Sequence, residues 1–374
     1  MNIALNLLAI RKTSPTGIER FAQSVLGSIR FSEGNTVTGF TRRGVGLESA
    51  LGARFLNRNA VCKEVRWLCW GTLSRLTLES VLLAVRTYRH DVVISINNFG
   101  PLFGKSGQRR ITVIHDVWFL DKGYNGSPLR KILFHALIRI QLMSKPQVVT
   151  VSDWSKKEIA KALGLDLENI AVVPNCLCDA NEKTQGGSPR LREVSSIRGA
   201  YFLMVGSDRP NKNIENGLRA YLRYAESLSD PVSLVVAGDF SDSGKRKLEL
   251  TVPDQLRAKI SILGYVERGH YQLLLSGCSG LVFPSLYEGF GIPVIEAMSA
   301  GKGVLVAKNT VCEELARDCG VVVDGTSVVN IAEGLAELAG KTRANLFGHC
   351  AKQADHYRDC SRSGELFRQI IEQI

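Results

Sequence analysis

Short apolar runs bounded by turn residues alternate along the chain with stretches of helical periodicity. Residues 1–10 open with an apolar stretch that reads as a first buried strand, and 92–96, 111–114, 148–151 and 170–173 predict further strands buried on both faces. A polar interval, 179–199, carries Gly186-Gly187-Ser188-Pro189 and reads as a linker. The alternation then resumes at 201–205, 232–237, 259–263, 280–283, 303–306 and 320–323. Strands that alternate with helices imply parallel sheets covered on both faces, so the fold class is α/β, with two Rossmann-like units in tandem. The expected division is an N-terminal domain at 1–178, a linker at 179–199 and a second domain at 200–341. Two closing helices are expected in 342–374 with a break near 359–363, the last returning to the N-terminal domain. Open sheets of this kind bind ligands beyond the carboxyl ends of their strands, and two facing sheets would enclose a cleft.

Composition narrows the classes. At 374 residues, with 45% hydrophobic and 22% charged residues, the chain has the balance of a globular protein of about two domains. No window of about 18 apolar residues occurs, and the best candidate, 76–85, is interrupted by Glu79. Nine cysteines show no C-x-x-C spacing, which points to free thiols in a reducing cytoplasm. The net charge of +11 is uneven: residues 1–178 hold 24 Lys+Arg against 12 Asp+Glu, net +12, whereas 179–374 come to −1. A one-sided basic field suits an anionic partner. No recognition motif accompanies it, so nucleic acid is not expected.

Two phosphate-binding fingerprints fail on inspection. Gly104-Lys105-Ser106 ends like a P-loop, but Phe99 stands where the first glycine belongs and a strand follows. Gly289-Phe290-Gly291 opens like a dinucleotide fingerprint, but Val294 occupies its third glycine position. The informative segment is Phe283-Pro284-Ser285-Leu286-Tyr287-Glu288-Gly289-Phe290-Gly291-Ile292-Pro293-Val294-Ile295-Glu296. It reads as a strand end, a glycine loop and a helix start, with Pro293 at the first helical position and Glu296 in the first turn. Glycines let backbone approach a ligand closely, and unpaired amides at a helix start favour an anion such as a diphosphate. Glu296 is suited to accept hydrogen bonds from a ribose diol, and Glu288 from hexose hydroxyls. Either glutamate alone would read as structural, one at a helix dipole and one in a turn.

This E-x₇-E segment, with its internal Gly-Phe-Gly-x-Pro, resembles the donor signature of the retaining GT-B glycosyltransferases of family four, which include bacterial mannosyl- and glucosyltransferases. Met204-Val205-Gly206-Ser207-Asp208-Arg209-Pro210-Asn211-Lys212-Asn213 resembles the family's strand–loop–helix segment. There the resemblance gives Lys212 to the donor diphosphate, Arg209 as the second cation, and Gly206 to the same donor site. In the first half, Ser14-Pro15-Thr16-Gly17 resembles the glycine loop that brings amides towards donor phosphate and acceptor, and Ile114-His115-Asp116 resembles a strand ending in a His-Asp pair. The resemblance assigns His115 as a hydrogen-bond donor to the transferred sugar. Val151-Ser152-Asp153-Trp154-Ser155 and Val173-Pro174-Asn175 match further family segments, whereas Cys176-Leu177-Cys178 replaces the common Gly-Val-Asp.

The resemblance implies a hexosyltransferase that uses a nucleoside-diphosphate sugar, with mannose or glucose favoured, and a glycan or polyprenyl-linked acceptor. His115, Glu288, Arg209 and Lys212 would act in transfer. Gly17, Gly206, Gly289, Phe290, Gly291, Ile292 and Glu296 would help to hold the donor. No cofactor is expected, and no metal, since no Asp-x-Asp motif is present. The expected place is the cytoplasm, with peripheral attachment to an anionic inner membrane surface through the basic first half and the amphipathic stretch 129–142, although that stretch also reads as a helix packed on its own sheet. Two other readings stay open: an epimerase or phosphorylase of the same fold, and a non-catalytic binding subunit.

Overall fold

The computed structural model describes residues 1–11, 17–52, 55, 59–65, 72–121, 126–177, 197 and 199–373. The Ser14-Pro15-Thr16 part of the glycine loop and nearly all of the 179–199 linker lie outside them. Two compact units emerge, Met1–Cys178 with Tyr357–Ile374, and Asp179–His356.

The first unit is a seven-stranded sheet formed by β1 (Asn2–Asn6), β2 (Thr36–Arg42), β3 (Ala60–Val65), β4 (Val92–Ser95), β5 (Arg109–Val113), β6 (Gln147–Thr150) and β7 (Ile170–Val172). The order is β3-β2-β1-β4-β5-β6-β7 and every neighbouring pair is parallel. β4 is buried along its whole length, as a sheet covered on both faces requires. β3 lies at the edge and exposes Cys62, Lys63 and Glu64, charges that discourage pairing with another chain. The helix Asp153–Leu163 is capped by Ser152, whose Oγ accepts from the Ser155 amide at 3.0 Å, and it ends at Gly164 in the left-handed conformation. The last helix, Cys360–Gln373, packs on the turn Leu26–Ser28: Ser28 Oγ donates to the Cys360 carbonyl at 2.8 Å, and the Phe367 ring stands 6.1 Å from Phe21, edge to face.

The second unit has six parallel strands, β8 (Tyr201–Ser207), β9 (Ser233–Asp239), β10 (Ile260–Gly264), β11 (Gly280–Phe283), β12 (Gly303–Ala307) and β13 (Gly320–Val323), ordered β10-β9-β8-β11-β12-β13. Each sheet reverses its strand order at its first strand, between β1 and β4 in one unit and between β8 and β11 in the other. The connections after those strands leave in opposite directions, which opens a crevice at the carboxyl ends. The segment around Glu288 and the segment around Lys212 are the two sides of the second crevice.

Candidate donor site

The loop after β8 is fastened to the loop after β11 by asparagines. Asn211 donates from Nδ2 to the Tyr287 carbonyl at 2.9 Å, and its own carbonyl accepts from the Leu286 amide at 2.7 Å, with Ser285 Oγ 2.8 Å away. Asn213 takes the left-handed conformation that Asn tolerates, at φ 58°, and reaches the carbonyls of Pro284 and Gly325 at 3.0 and 2.6 Å. Gly206 allows this packing, since a Cβ there would meet Ile214 Cδ1 at 2.6 Å.

The stitched loops bring two of the expected residues into contact. Lys212 Nζ lies 2.6 Å from Glu288 Oε1, and Ser285 Oγ donates to the same oxygen at 2.6 Å. Lys212 also stands 5.7 Å above the Phe283 ring. The pair is mostly shielded, with side-chain exposures of 23% and 13%, so each charge keeps more of its field than a surface pair would. Beneath it, burial and then the Glu288 charge push the Cys312 thiol well up.

The helix Ile292–Ser299 begins at Gly291, whose φ of 91° suits glycine alone and whose missing Cβ would sit 2.9 Å from Cys312 Sγ. Phe290 is buried against this start. Two details differ from the sequence reading. Pro293 is the second helical residue, because the left-handed turn at Gly291 lets the helix start at Ile292. Glu296 is therefore the fifth residue, past the first turn, and its carboxylate pairs with Arg268 Nη1 at 2.6 Å. Arg268 heads the helix Arg268–Gly277, and its guanidinium lies 5.4 Å from the Tyr271 ring centre.

Arg209 immediately precedes the turn that carries Lys212. It is exposed and lines a cavity of about 510 Å³ with Asp208, Ser241 and Lys247, a lining that includes neither Lys212 nor Glu288. Its backbone is extended.

In the first unit His115 follows β5 and is buried. Its Nε2 lies 2.9 Å from the Ile96 carbonyl, its amide donates to Asn98 Oδ1 at 3.2 Å, and its ring meets Phe21 edge to face at 5.3 Å. A carbonyl only accepts, so the ring proton sits on Nε2. Burial holds the imidazole pKa below its ordinary value, against the pull of the Ile96 bond. The neutral ring then offers Nδ1 as an acceptor, where the sequence suggested a donor. Gly17 opens the helix Gly17–Ser24 and is exposed.

Arg268, Asn211, Asn213 and Ser285 are the residues that sequence reading left without a role. Asn211 and Asn213 flank Lys212, and the Asn-x-Asn pattern beside a turn was the available signal. Arg268 carries no local signal, because its partner is 28 residues away on another helix.

Residues 16–178 match the family described as Glycosyltransferase Family 4, and residues 190–353 match Glycosyl transferases group 1. The two Rossmann-like units have the GT-B fold, and each carries a match to one of these glycosyltransferase family models. Among curated relatives the chain is 30% identical over 207 residues to the O-antigen chain mannosyltransferase RfbU of Salmonella typhimurium, a match covering 55% of this chain and 53% of that one. It is 27% identical over 248 residues to O-antigen chain mannosyltransferase B of Escherichia coli, covering 66% and 64%. The matched region thus spans between half and two thirds of the length of these relatives. The fold is shared over the whole length with Anabaena Alr3699/HepE, solved in complex with UDP and glucose (TM-score 0.74, 15% identity, 100% of each chain), and with WaaG, a glycosyltransferase involved in lipopolysaccharide biosynthesis (TM-score 0.69, 18% identity, 99% of each chain).

Proposed function

We propose that this chain transfers a hexosyl group, of the mannose or glucose type, from a nucleoside diphosphate to a hydroxyl of a glycan or polyprenyl-linked glycan, with retention of anomeric configuration. The observation that carries the reading is the Lys212–Glu288 pair, a cation and a carboxylate held together at the crevice where the second sheet reverses its order. The mannosyltransferase names of the two relatives favour the hexose class, and the UDP complexes of the structural neighbour favour a nucleotide donor.

When the bond from the anomeric carbon to the β-phosphate oxygen breaks, negative charge grows on the leaving diphosphate. Lys212 stabilises it, with the amides around Gly291 and Ile292 and with Arg209 as the second cation. Glu288, held by Ser285, faces the hexose hydroxyls, and Glu296, held by Arg268, takes the ribose diol. Gly206 and Gly289 bring the loop backbone close to the donor. The acceptor oxygen bonds to the anomeric carbon as its proton passes to the leaving phosphate oxygen, so no side chain serves as nucleophile and no divalent metal takes part. His115 Nδ1 accepts from a sugar hydroxyl, and Gly17 belongs to the acceptor-side loop.

The acceptor class rests on charge. The first half is net +12, and the helix Pro128–Met143 buries Phe134 and Ile138 while it exposes Leu129, Ile132, Ile140 and Met143. Basic residues beside exposed apolar ones suit an anionic lipid surface that carries the acceptor. No helix among the described residues is long and apolar enough to cross a membrane.

A panel of nucleoside-diphosphate hexoses, scored by thermal shift and then by nuclear magnetic resonance of the products, tests the reading. The expected result is a new glycosidic bond with the donor's anomeric configuration. Inverted product, or sugar interconversion without a new glycosidic bond, sinks it.

A further inference from the structure

The second unit holds a group of side chains that the transfer chemistry does not use. Cys319 ends the turn Arg317–Cys319 that leads into β13, and His349 and Cys350 open the short helix Cys350–Ala354. Thirty residues of chain separate these two places, which is why no C-x-x-C spacing announces them. Cys319 Sγ, Cys350 Sγ and a ring nitrogen of His349 all lie within 4.8 Å of one another. In addition, Cys319 Sγ donates to Gln353 Oε1 at 3.0 Å, so a carboxamide oxygen is present on the same helix. Both cysteines are buried, whereas His349 is exposed.

These donors have the composition of a soft-metal site. A tetrahedral zinc-type ion binds thiolate sulfur at about 2.3 Å and imidazole nitrogen at about 2.0 Å, which sets its ligand atoms roughly 3.5–3.8 Å apart. That spacing falls inside the 4.8 Å limit met here. Two sulfurs and one nitrogen exclude calcium and magnesium, which take oxygen ligands.

We propose that Cys319, His349 and Cys350 bind one zinc-type divalent cation, with the Gln353 carboxamide oxygen or a water as fourth ligand. As the ion binds, the two thiols release their protons to solvent and the neutral imidazole coordinates through one nitrogen. The role follows from position. The helix Ile292–Ser299, which carries Glu296, packs against the helix Val311–Ala316, directly followed by the Cys319 turn, and against the helix Cys350–Ala354. The ion ties those two supports together and stiffens the helix between them, without touching the donor.

Titration of the reduced full chain with Zn²⁺, in competition with a chromophoric chelator, and with Co²⁺ tests the site. The expected results are one ion bound, a thiolate-to-cobalt charge-transfer band, and a melting temperature raised by Zn²⁺. His349→Ala, an exposed position that leaves the core intact, is expected to weaken binding at least about tenfold. Cys319→Ser, checked for folding by circular dichroism, is expected to abolish the charge-transfer band. Absence of stoichiometric binding, binding unaffected by both substitutions, or recovery of Cys319 and Cys350 as a disulfide from a reducing cytoplasm overturns the proposal.

Discussion

The carboxyl ends of the two sheets solve the same problem with different electrostatics. At the first, His115 is kept neutral by burial and bonded to a backbone carbonyl, Asn97 and Asn98 supply uncharged polar groups, and the fully buried Glu79 carboxyl is pushed up to about 7 by burial despite Arg75 nearby. At the second, charges are kept and paired, Lys212 with Glu288 and Arg268 with Glu296. Net charge runs the other way, with +12 in the first half and −1 in the second. The bulk charge of a unit therefore says little about its binding crevice: two shielded ion pairs stand in the nearly neutral half, where low exposure weakens screening.

Removing one charge from the paired crevice should give the largest effect. Lys212→Ala is expected to lower turnover by on the order of 10²–10³, because the lysine acts on charge that develops as the donor bond breaks. Wild-type turnover in steady-state kinetics would move that role to Arg209 or to the helix amides. Next comes the second pair. Glu296→Ala should weaken donor binding about ten- to a hundredfold, measured calorimetrically. Arg268→Ala should weaken it less, and the double variant should be no worse than Glu296→Ala, since the arginine acts by positioning the carboxylate. Additive losses would instead put Arg268 on the donor itself.

The neutral crevice is tested by pH. The Glu79 carboxyl, at about 7 in the folded chain against 4.5 ordinarily, stays protonated on folding while the unfolded chain ionises. Its contribution is complete below pH 4.5, declines as pH rises towards 7 and is flat above, at about 1.4 kcal/mol per unit of pKa difference as an upper scale. Glu79→Gln should thus gain melting temperature relative to wild type between those values, and a difference independent of pH would show that burial does not govern this carboxyl. The smallest effect concerns the outer surface: Leu129→Ser with Ile132→Ser should reduce sedimentation with anionic vesicles several-fold at low salt while leaving turnover on a soluble acceptor unchanged. A wild-type chain that stays in the supernatant would point to a soluble acceptor.

Most of the sheet architecture was legible because its strands are buried on both faces and read as continuous apolar runs; β11 and β13 coincide with the expected limits, β1 ends at Asn6, four residues short of the apolar stretch 1–10, and the other expected strands shift by a residue or two. β2 and β3 gave no such run. β2 contains three threonines and Gly39, and β3 is an exposed edge carrying Lys63 and Glu64. At the donor crevice the glycine loop and both glutamates were visible as a motif, but their partners were not. Lys212 meets Glu288 across 76 residues, and no periodicity reports such a contact. The position of Glu296 in its helix was misjudged by one residue because the helix start depends on the left-handed Gly291, a backbone fact that precedes any pattern of side chains.

The helix Cys360–Gln373 gives the chain a particular order of construction. Phe367 backs Phe21, and Phe21 backs His115, so the aromatic support of the first crevice is drawn from segments that lie on either side of the second unit in the chain. On the ribosome the second unit can complete its sheet and close its core while the first still lacks that helix. Of these two units the one begun first is finished second, and for that interval the patch around Phe21 stays open to solvent and to any chaperone that samples it.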